Sequence, residues 1–162
     1  MTSPAAAVTI RSVELQDVPA LAAMAAEFYA FFAAMNDSDP TFDIEAAKLK
    51  LEKCGFGAKP HFSAIIAEQA GVAAGYAIYN VGFWADTLEG MILITDLFVR
   101  EAWRGKGIGQ RLMSHLAEIG KAEGCERVMW TVWRENEAAK RFYRKIGGLL
   151  IEEEQLFTLP IR

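Results

Sequence analysis

Nine consecutive residues, Met91-Ile92-Leu93-Ile94-Thr95-Asp96-Leu97-Phe98-Val99, are almost continuously apolar. A few residues later the chain passes through Arg104-Gly105-Lys106-Gly107-Ile108-Gly109. A strand without polar alternation suits the middle of a sheet that is covered on both faces. Beyond the glycines, Ile108, Leu112, Leu116 and Ile119 recur at helical spacing, which predicts a helix from about Gly107 to Glu123, ended by Gly124. A buried strand, a tight turn and an amphipathic helix in immediate succession require a layered α/β arrangement.

The remaining segments supply the other layers. Val8 to Val13 reads as a first strand, with Asp17 at a helix N-terminus and Pro19 just inside it. Leu21, Met24, Ala25, Phe28, Phe31 and Phe32 carry that helix to about Met35, where Asn36-Asp37-Ser38-Asp39-Pro40 breaks it. Ile44 to Lys53 predicts a shorter helix. Phe62 to Glu68 and Val72 to Val81 read as a hairpin around Gln69-Ala70-Gly71, with a second hairpin loop from Trp84 to Gly90. Arg127 to Trp133 is a further strand and Glu137 to Ile146 a helix. Leu149 to Glu153 and Gln155 to Leu159 are expected to close the chain as a hairpin. Antiparallel strands followed by strand–helix alternation predict an α/β fold with a mixed sheet and helices on both faces. With 162 residues and no linker or repeat, residues 1–162 are expected to form a single domain.

The net charge of -4 gives no electrostatic footprint for nucleic acid. Cys54 and Cys125 match no metal spacing, and with His61 and His115 as the only histidines no metal site is expected. Met1 to Ala7 lacks a basic, apolar leader, and no apolar stretch is expected to approach the roughly 20 residues of a bilayer span. The expectation is therefore a cytoplasmic protein with no membrane partner.

The glycine turn is where chemistry concentrates. Unpaired N–H groups at a helix start carry partial positive charge, and Gly105, Gly107 and Gly109 remove side chains that would keep a ligand from them. Arg104 and Lys106 add charge beside them, so the turn suits a diphosphate. A plain structural turn with two solvated basic residues is the alternative. A P-loop would need Ser or Thr after Lys106, where Gly107 stands. A dinucleotide fingerprint would open the chain and be followed by an acid ending the next strand, which here ends Thr131-Val132-Trp133.

Arg104-Gly105-Lys106-Gly107-Ile108-Gly109 resembles the Arg/Gln-x-x-Gly-x-Gly/Ala signature of the GNAT superfamily of N-acetyltransferases. The strand Ile94 to Val99 before it, and the run from Asn136 through Phe142 and Tyr143 to Gly148 after it, are similar to the family's flanking motifs. Cys54-Gly55-Phe56-Gly57, Pro60-His61-Phe62 and the Trp84 loop resemble the diamine (spermidine/spermine-type) members.

The resemblance implies a mostly antiparallel, twisted sheet splayed at the site of acetyl-CoA, the co-substrate. It implies that the backbone of Leu97, Phe98 and Val99 pairs with the pantetheine arm and that the backbone of Arg104, Gly105, Lys106, Gly107, Ile108 and Gly109 holds the pyrophosphate. Asn136 would bond the pantetheine or its surroundings. Phe142 would pack near the cofactor, or simply in the core. Tyr143 matches the general acid that protonates the departing thiolate. A backbone N–H at Val99 or Phe98 would stabilise the oxyanion. The diamine-type members carry an acid where this chain has Thr95, and Thr95 cannot act as a base. Asp96 is next to Thr95, and because adjacent strand residues face opposite sides of a sheet it is expected to point away from Thr95's side and to be structural. Glu27, Asp37 and Glu152 to Glu154 remain as ends of a water chain, or as plain surface acids. Trp84, Trp130 and Trp133 could frame an amine, with one of the latter two in the core. The implied activity is transfer of an acetyl group to a small-molecule primary amine, with a homodimer by family analogy. The alternatives are a non-catalytic acyl-CoA-binding module and a protein N-acetyltransferase.

Overall fold

A computed structural model describes residues 7–161. The reading of the first seven residues as carrying no leader therefore lies, except for Ala7, outside the described residues. The chain divides into two compact units, one ending at Thr131 and the other beginning at Val132.

The first unit is built on a five-stranded sheet in the order β1-β2-β3-β4-β5, comprising β1 (Thr9–Ser12), β2 (Ser63–Gln69), β3 (Val72–Trp84), β4 (Glu89–Val99) and β5 (Arg127–Trp130). All neighbours are antiparallel except β4 and β5, which run parallel. The helices are α1 (Val18–Asn36), α2 (Ile44–Phe56) and α3 (Ile108–Ala122). Leu21 and Met24 of α1 form a buried cluster with Ala64, Ile66, Tyr76 and Phe98, which places α1 on one face of the sheet. On the other face α3 lies so close to β4 that a Cβ on Gly120 would come within 2.9 Å of Ile92. α2 packs on α1 and reaches the cluster through Leu51.

Local chemistry sets the element ends. Pro19 sits in the first turn of α1, and Asp37, with φ of 50°, turns its N–H back to Ala33 O to end it. Asp43 caps α2 by accepting from Ala46 N–H at 2.9 Å. A pair of ion pairs fastens β1 to its surroundings. Arg11 Nη1 lies 2.6 Å from Asp17 Oδ2, and Arg11 Nη2 lies 2.9 Å from Glu68 Oε1 on β2.

Three expectations are corrected. β5 ends at Trp130, not Trp133, because its last pair is Ile94 with Trp130 and the next β4 residue, Thr95, is the extra residue of a β-bulge. The second unit contains α4 (Glu137–Lys145), but residues 149–159 form no hairpin. The junction of the two expected strands falls in the Glu152-Glu153-Glu154 run, which offers no residue suited to a tight hairpin turn, and three like charges oppose closure. Finally, the segment Leu15–Asn36 is 22 residues long with a hydropathy of 1.6, so one helix does reach membrane-spanning length and composition. In this fold Val18, Leu21, Ala22, Met24 and Ala33 of that segment are buried.

Candidate active site

The bulge in β4 organises the site. Asp96 is opposite Ile78 and Ile94 is opposite Tyr79, so Thr95 has no partner on β3. An extra residue reverses the alternation of side chains beyond it. Upstream, Ile92 lies against α3. Downstream, Phe98 belongs to the α1 cluster, and its ring centroid is 6.1 Å from those of both Phe28 and Tyr76. Asp96 and Phe98 therefore share the α1 face, although in a regular strand they would share the α3 face with Ile92 and Ile94. The expectation that Asp96 is a structural residue set apart by simple alternation does not allow for this reversal.

The bulge also opens the sheet. β5 pairs with β4 from Met91 to Ile94 and no further. From Thr95 to Val99 the edge of β4 toward β5 has no ladder partner, while the other edge stays bonded to β3, with Leu97 opposite Ala77, Phe98 opposite Tyr76 and Val99 opposite Gly75. This open edge is the splay expected around Leu97, Phe98 and Val99. Its main-chain groups are strong donors and acceptors that can pair with an extended ligand.

The open edge leads through one 3-10 turn, Glu101–Trp103, into the glycine turn. Gly105 and Gly107 have φ of 73° and 79°, a left-handed conformation that a side chain would strain, and nothing lies within 4 Å of where their Cβ atoms would be. The space above the turn is thus open. Gly107 is the N-cap of α3 and supplies no side chain to cap it. Arg111 N–H bonds Gly107 O at 3.0 Å, so the N–H groups of Ile108, Gly109 and Gln110 precede the first intrahelical bond. An open cradle with uncapped helix N–H groups fits a pyrophosphate. The basic side chains are folded against the protein. Arg104 Nε donates to Val99 O at 3.0 Å, and its guanidinium lies 5.1 Å from the Phe31 ring centroid and 5.8 Å from that of Phe98. Lys106 Nζ sits 5.0 Å from the Trp103 ring centroid. Arg104 thus ties the turn to the end of β4 as well as adding charge.

The titratable groups near the bulge are unusual. The Tyr76 hydroxyl donates to Asp96 Oδ2. Burial pushes the Asp96 carboxyl above its ordinary value, against the hydrogen bonds from Tyr76 and from Leu97 N–H, which favour the ionised form. Burial, and then the Asp96 charge, holds the Tyr76 phenol far above its ordinary value. Thr95 is exposed, with Oγ1 3.4 Å from Ile78 O. Of the other candidate acids, Glu27 is ion-paired to Arg100 at 2.9 Å, and Asp37 is the C-cap of α1. Tyr76 escaped the sequence reading because its link to Asp96 crosses strands, and no local pattern signals it.

In the second unit, Asn136 is the N-cap of α4, its Oδ1 accepting from Ala139 N–H at 3.0 Å. The Phe142 and Tyr143 rings are neighbours, with centroids 5.3 Å apart. In the first unit, Phe28 packs against the core cluster, whereas Phe31 is partly exposed beneath Arg104. Trp84 ends β3 and Trp130 ends β5.

The profile of the Acetyltransferase (GNAT) family matches residues 23–148. A thialysine N-epsilon-acetyltransferase from Bos taurus is 26% identical over 121 residues, covering 69% of this chain and 70% of that protein. A spermidine/spermine N(1)-acetyltransferase-like protein from Homo sapiens is 28% identical over 154 residues, covering 90% of this chain and 21% of that longer protein. A solved integron cassette protein from the mobile metagenome of V. cholerae superposes with a TM-score of 0.82 at 30% identity, covering 94% of this chain and 92% of that one. Open strand edge, glycine cradle and a family profile spanning most of the sequence agree, and the chain belongs to the GNAT family of acetyl-CoA-dependent N-acetyltransferases.

Proposed function

We propose that this enzyme acetylates a primary amine of a small diamine or of an amino acid with an amine-bearing side chain, and that its two units act together as one catalytic domain. The observation that carries the reading is the open edge of β4 running directly into the uncapped start of α3. The acceptor class is supported by the relatives, whose names specify thialysine and spermidine/spermine.

In this reading Gly105, Gly107 and the first N–H groups of α3 bind the pyrophosphate, and the main chain of Leu97 to Val99 aligns the pantetheine arm. This alignment places the thioester near the bulge. The amine nitrogen attacks the thioester carbon directly in a ternary complex. A backbone N–H on the open edge holds the developing oxyanion. Tyr143 protonates the sulfur as the C–S bond breaks, a role supported by its place in the resemblance.

The test is release of free coenzyme A from acetyl-CoA with thialysine, L-lysine, spermidine and putrescine. Turnover of at least one is expected, and binding of acetyl-CoA without turnover of any would count against the reading. Tyr143→Phe should lower kcat by about 100-fold or more, with acetyl-CoA affinity measured by calorimetry nearly unchanged. An unaltered kcat would remove Tyr143 from the mechanism.

A further inference from the structure

Acetyl transfer to an amine needs a proton acceptor, because the acceptor arrives mostly as ammonium, with a pKa near ~10 for an alkylamine of the lysine kind. Thr95 cannot supply one. We propose that Asp96 is the catalytic base that takes the ammonium proton, with Tyr76 as the residue that positions it. This rests on the acetyl transfer proposed above.

The first support is placement. The bulge brings Asp96 to the α1 face at the point where β4 parts from β5. The open edge from Thr95 to Val99 spans about five residues at ~3.3 Å each, roughly 16 Å. An extended arm of that length, anchored at the glycine turn and running back along the edge, would reach the bulge. The reacting carbon would then lie at the same point of β4 as Asp96.

The second support is the way the carboxylate is held. A carboxylate has about four acceptor positions. Tyr76 O–H fills one and Leu97 N–H another, which fixes the group's orientation and leaves acceptor capacity for an ammonium. The Asp96 residue is half-buried rather than fully enclosed. Its acceptor capacity is not consumed by an ion pair. α1, the helix on this face, carries a single charged residue, Glu27, which is tied to Arg100. Arg104 is turned to Val99 O and the Phe31 and Phe98 rings, and the Glu68 of β2 is paired with Arg11. Lys48 of α2 pairs with Glu45 of the same helix. The causes of the upward shift at Asp96 include no neighbouring charge, so its proton affinity is raised by burial and moderated by two hydrogen bonds. A raised pKa makes a carboxylate a better base.

The step balances. The ammonium gives one proton to Asp96 and attacks as the neutral amine, forming the C–N bond while the carbonyl electron pair moves onto oxygen. That pair returns as the C–S bond breaks, and the thiolate takes a proton from Tyr143. The nitrogen's second proton restores Tyr143. Asp96 then releases its proton to water, leaving an amide, a free thiol and one proton.

The test compares the unmodified enzyme, Asp96→Asn and Tyr76→Phe, using the four amines named above as probes. Melting curves report folding, calorimetry reports acetyl-CoA affinity, and kcat at saturating amine is followed against pH. Asp96→Asn should lose about 100- to 10,000-fold in kcat, with acetyl-CoA affinity within about twofold of the original. Tyr76→Phe removes a hydrogen bond that favours the ionised carboxylate, so the acid limb of its kcat profile should move to higher pH with only a several-fold loss of rate. An Asp96→Asn enzyme that keeps the original kcat and acid limb overturns the assignment while leaving acetyl transfer intact. If Asp96→Asn does not fold, Tyr76→Phe decides, and an unmoved acid limb in that variant overturns the assignment. An unmodified enzyme that binds acetyl-CoA but turns over none of the amines overturns the parent reading, and the role of Asp96 with it.

Discussion

At the residue scale, Gly107 shows how one missing side chain can serve two ends. Its φ of 79° is strained for any L-residue with a Cβ, and the open space there is where a ligand anion would sit. Gly107→Val should therefore cost about 1–2 kcal/mol in backbone strain and also obstruct the cradle. Acetyl-CoA affinity, read by calorimetry, should fall by roughly tenfold or more, with the amine KM little changed. A variant that binds acetyl-CoA as tightly as the original would show that the turn is only a connection. The sequence marked this residue, although the glycine turn taken alone left a plain structural connection equally open. It did not announce Tyr76, whose significance comes from a strand twenty residues away that brings Asp96 to its hydroxyl.

At the element scale, β4 is two half-strands of opposite parity joined at Thr95. Replacing Thr95 by Val keeps the residue count and should leave fold and activity close to the original. Deleting Thr95 makes Ile94 and Asp96 neighbours, so the pairs Tyr79–Ile94 and Ile78–Asp96 become consecutive in a regular ladder and Asp96 and Phe98 keep the α1 face. Cooperative thermal unfolding is therefore expected for both variants, and its loss in the deletion alone would show that the fold needs the bulge itself rather than the faces it sets. Element existence was legible because period and breakers agree for α1, α3 and the β2–β3 hairpin. The bulge was not, since Ile94-Thr95-Asp96 carries no glycine or proline to mark it. The expected closing hairpin drew on apolar residues around Glu152 to Glu154, and β-propensity without a turn did not suffice. Of the site, the glycine turn was legible in the sequence and the open edge was expected only through the family resemblance, whereas the α1 face of Asp96 required the register.

At the scale of the whole molecule, Arg11 joins three elements through Asp17 and Glu68. The hydrogen bond and charge of Arg11, with the Glu14 backbone N–H, hold the Asp17 carboxyl below its ordinary value, against the effect of burial. A depressed folded pKa means that the contribution is fully present above the ordinary carboxylate range and is lost as pH falls through the folded value. Asp17→Asn should cost roughly 1–3 kcal/mol at pH 7, short of a fully buried pair because the Arg11 side chain keeps 36% of its exposure. In urea titrations the gap between variant and original should narrow steadily toward pH 2, and a gap independent of pH would show that Asp17 acts by packing alone. A different consequence follows from α1, whose apolar surface is covered by residues far along the chain. Phe98 emerges about sixty residues after Asn36. At ~5–20 residues per second of synthesis, a helix of membrane-like composition stays uncovered for roughly 3–12 seconds. Vulnerability to aggregation should therefore peak in the nascent chain, and the finished enzyme's melting temperature will be a poor guide to its yield in a cell.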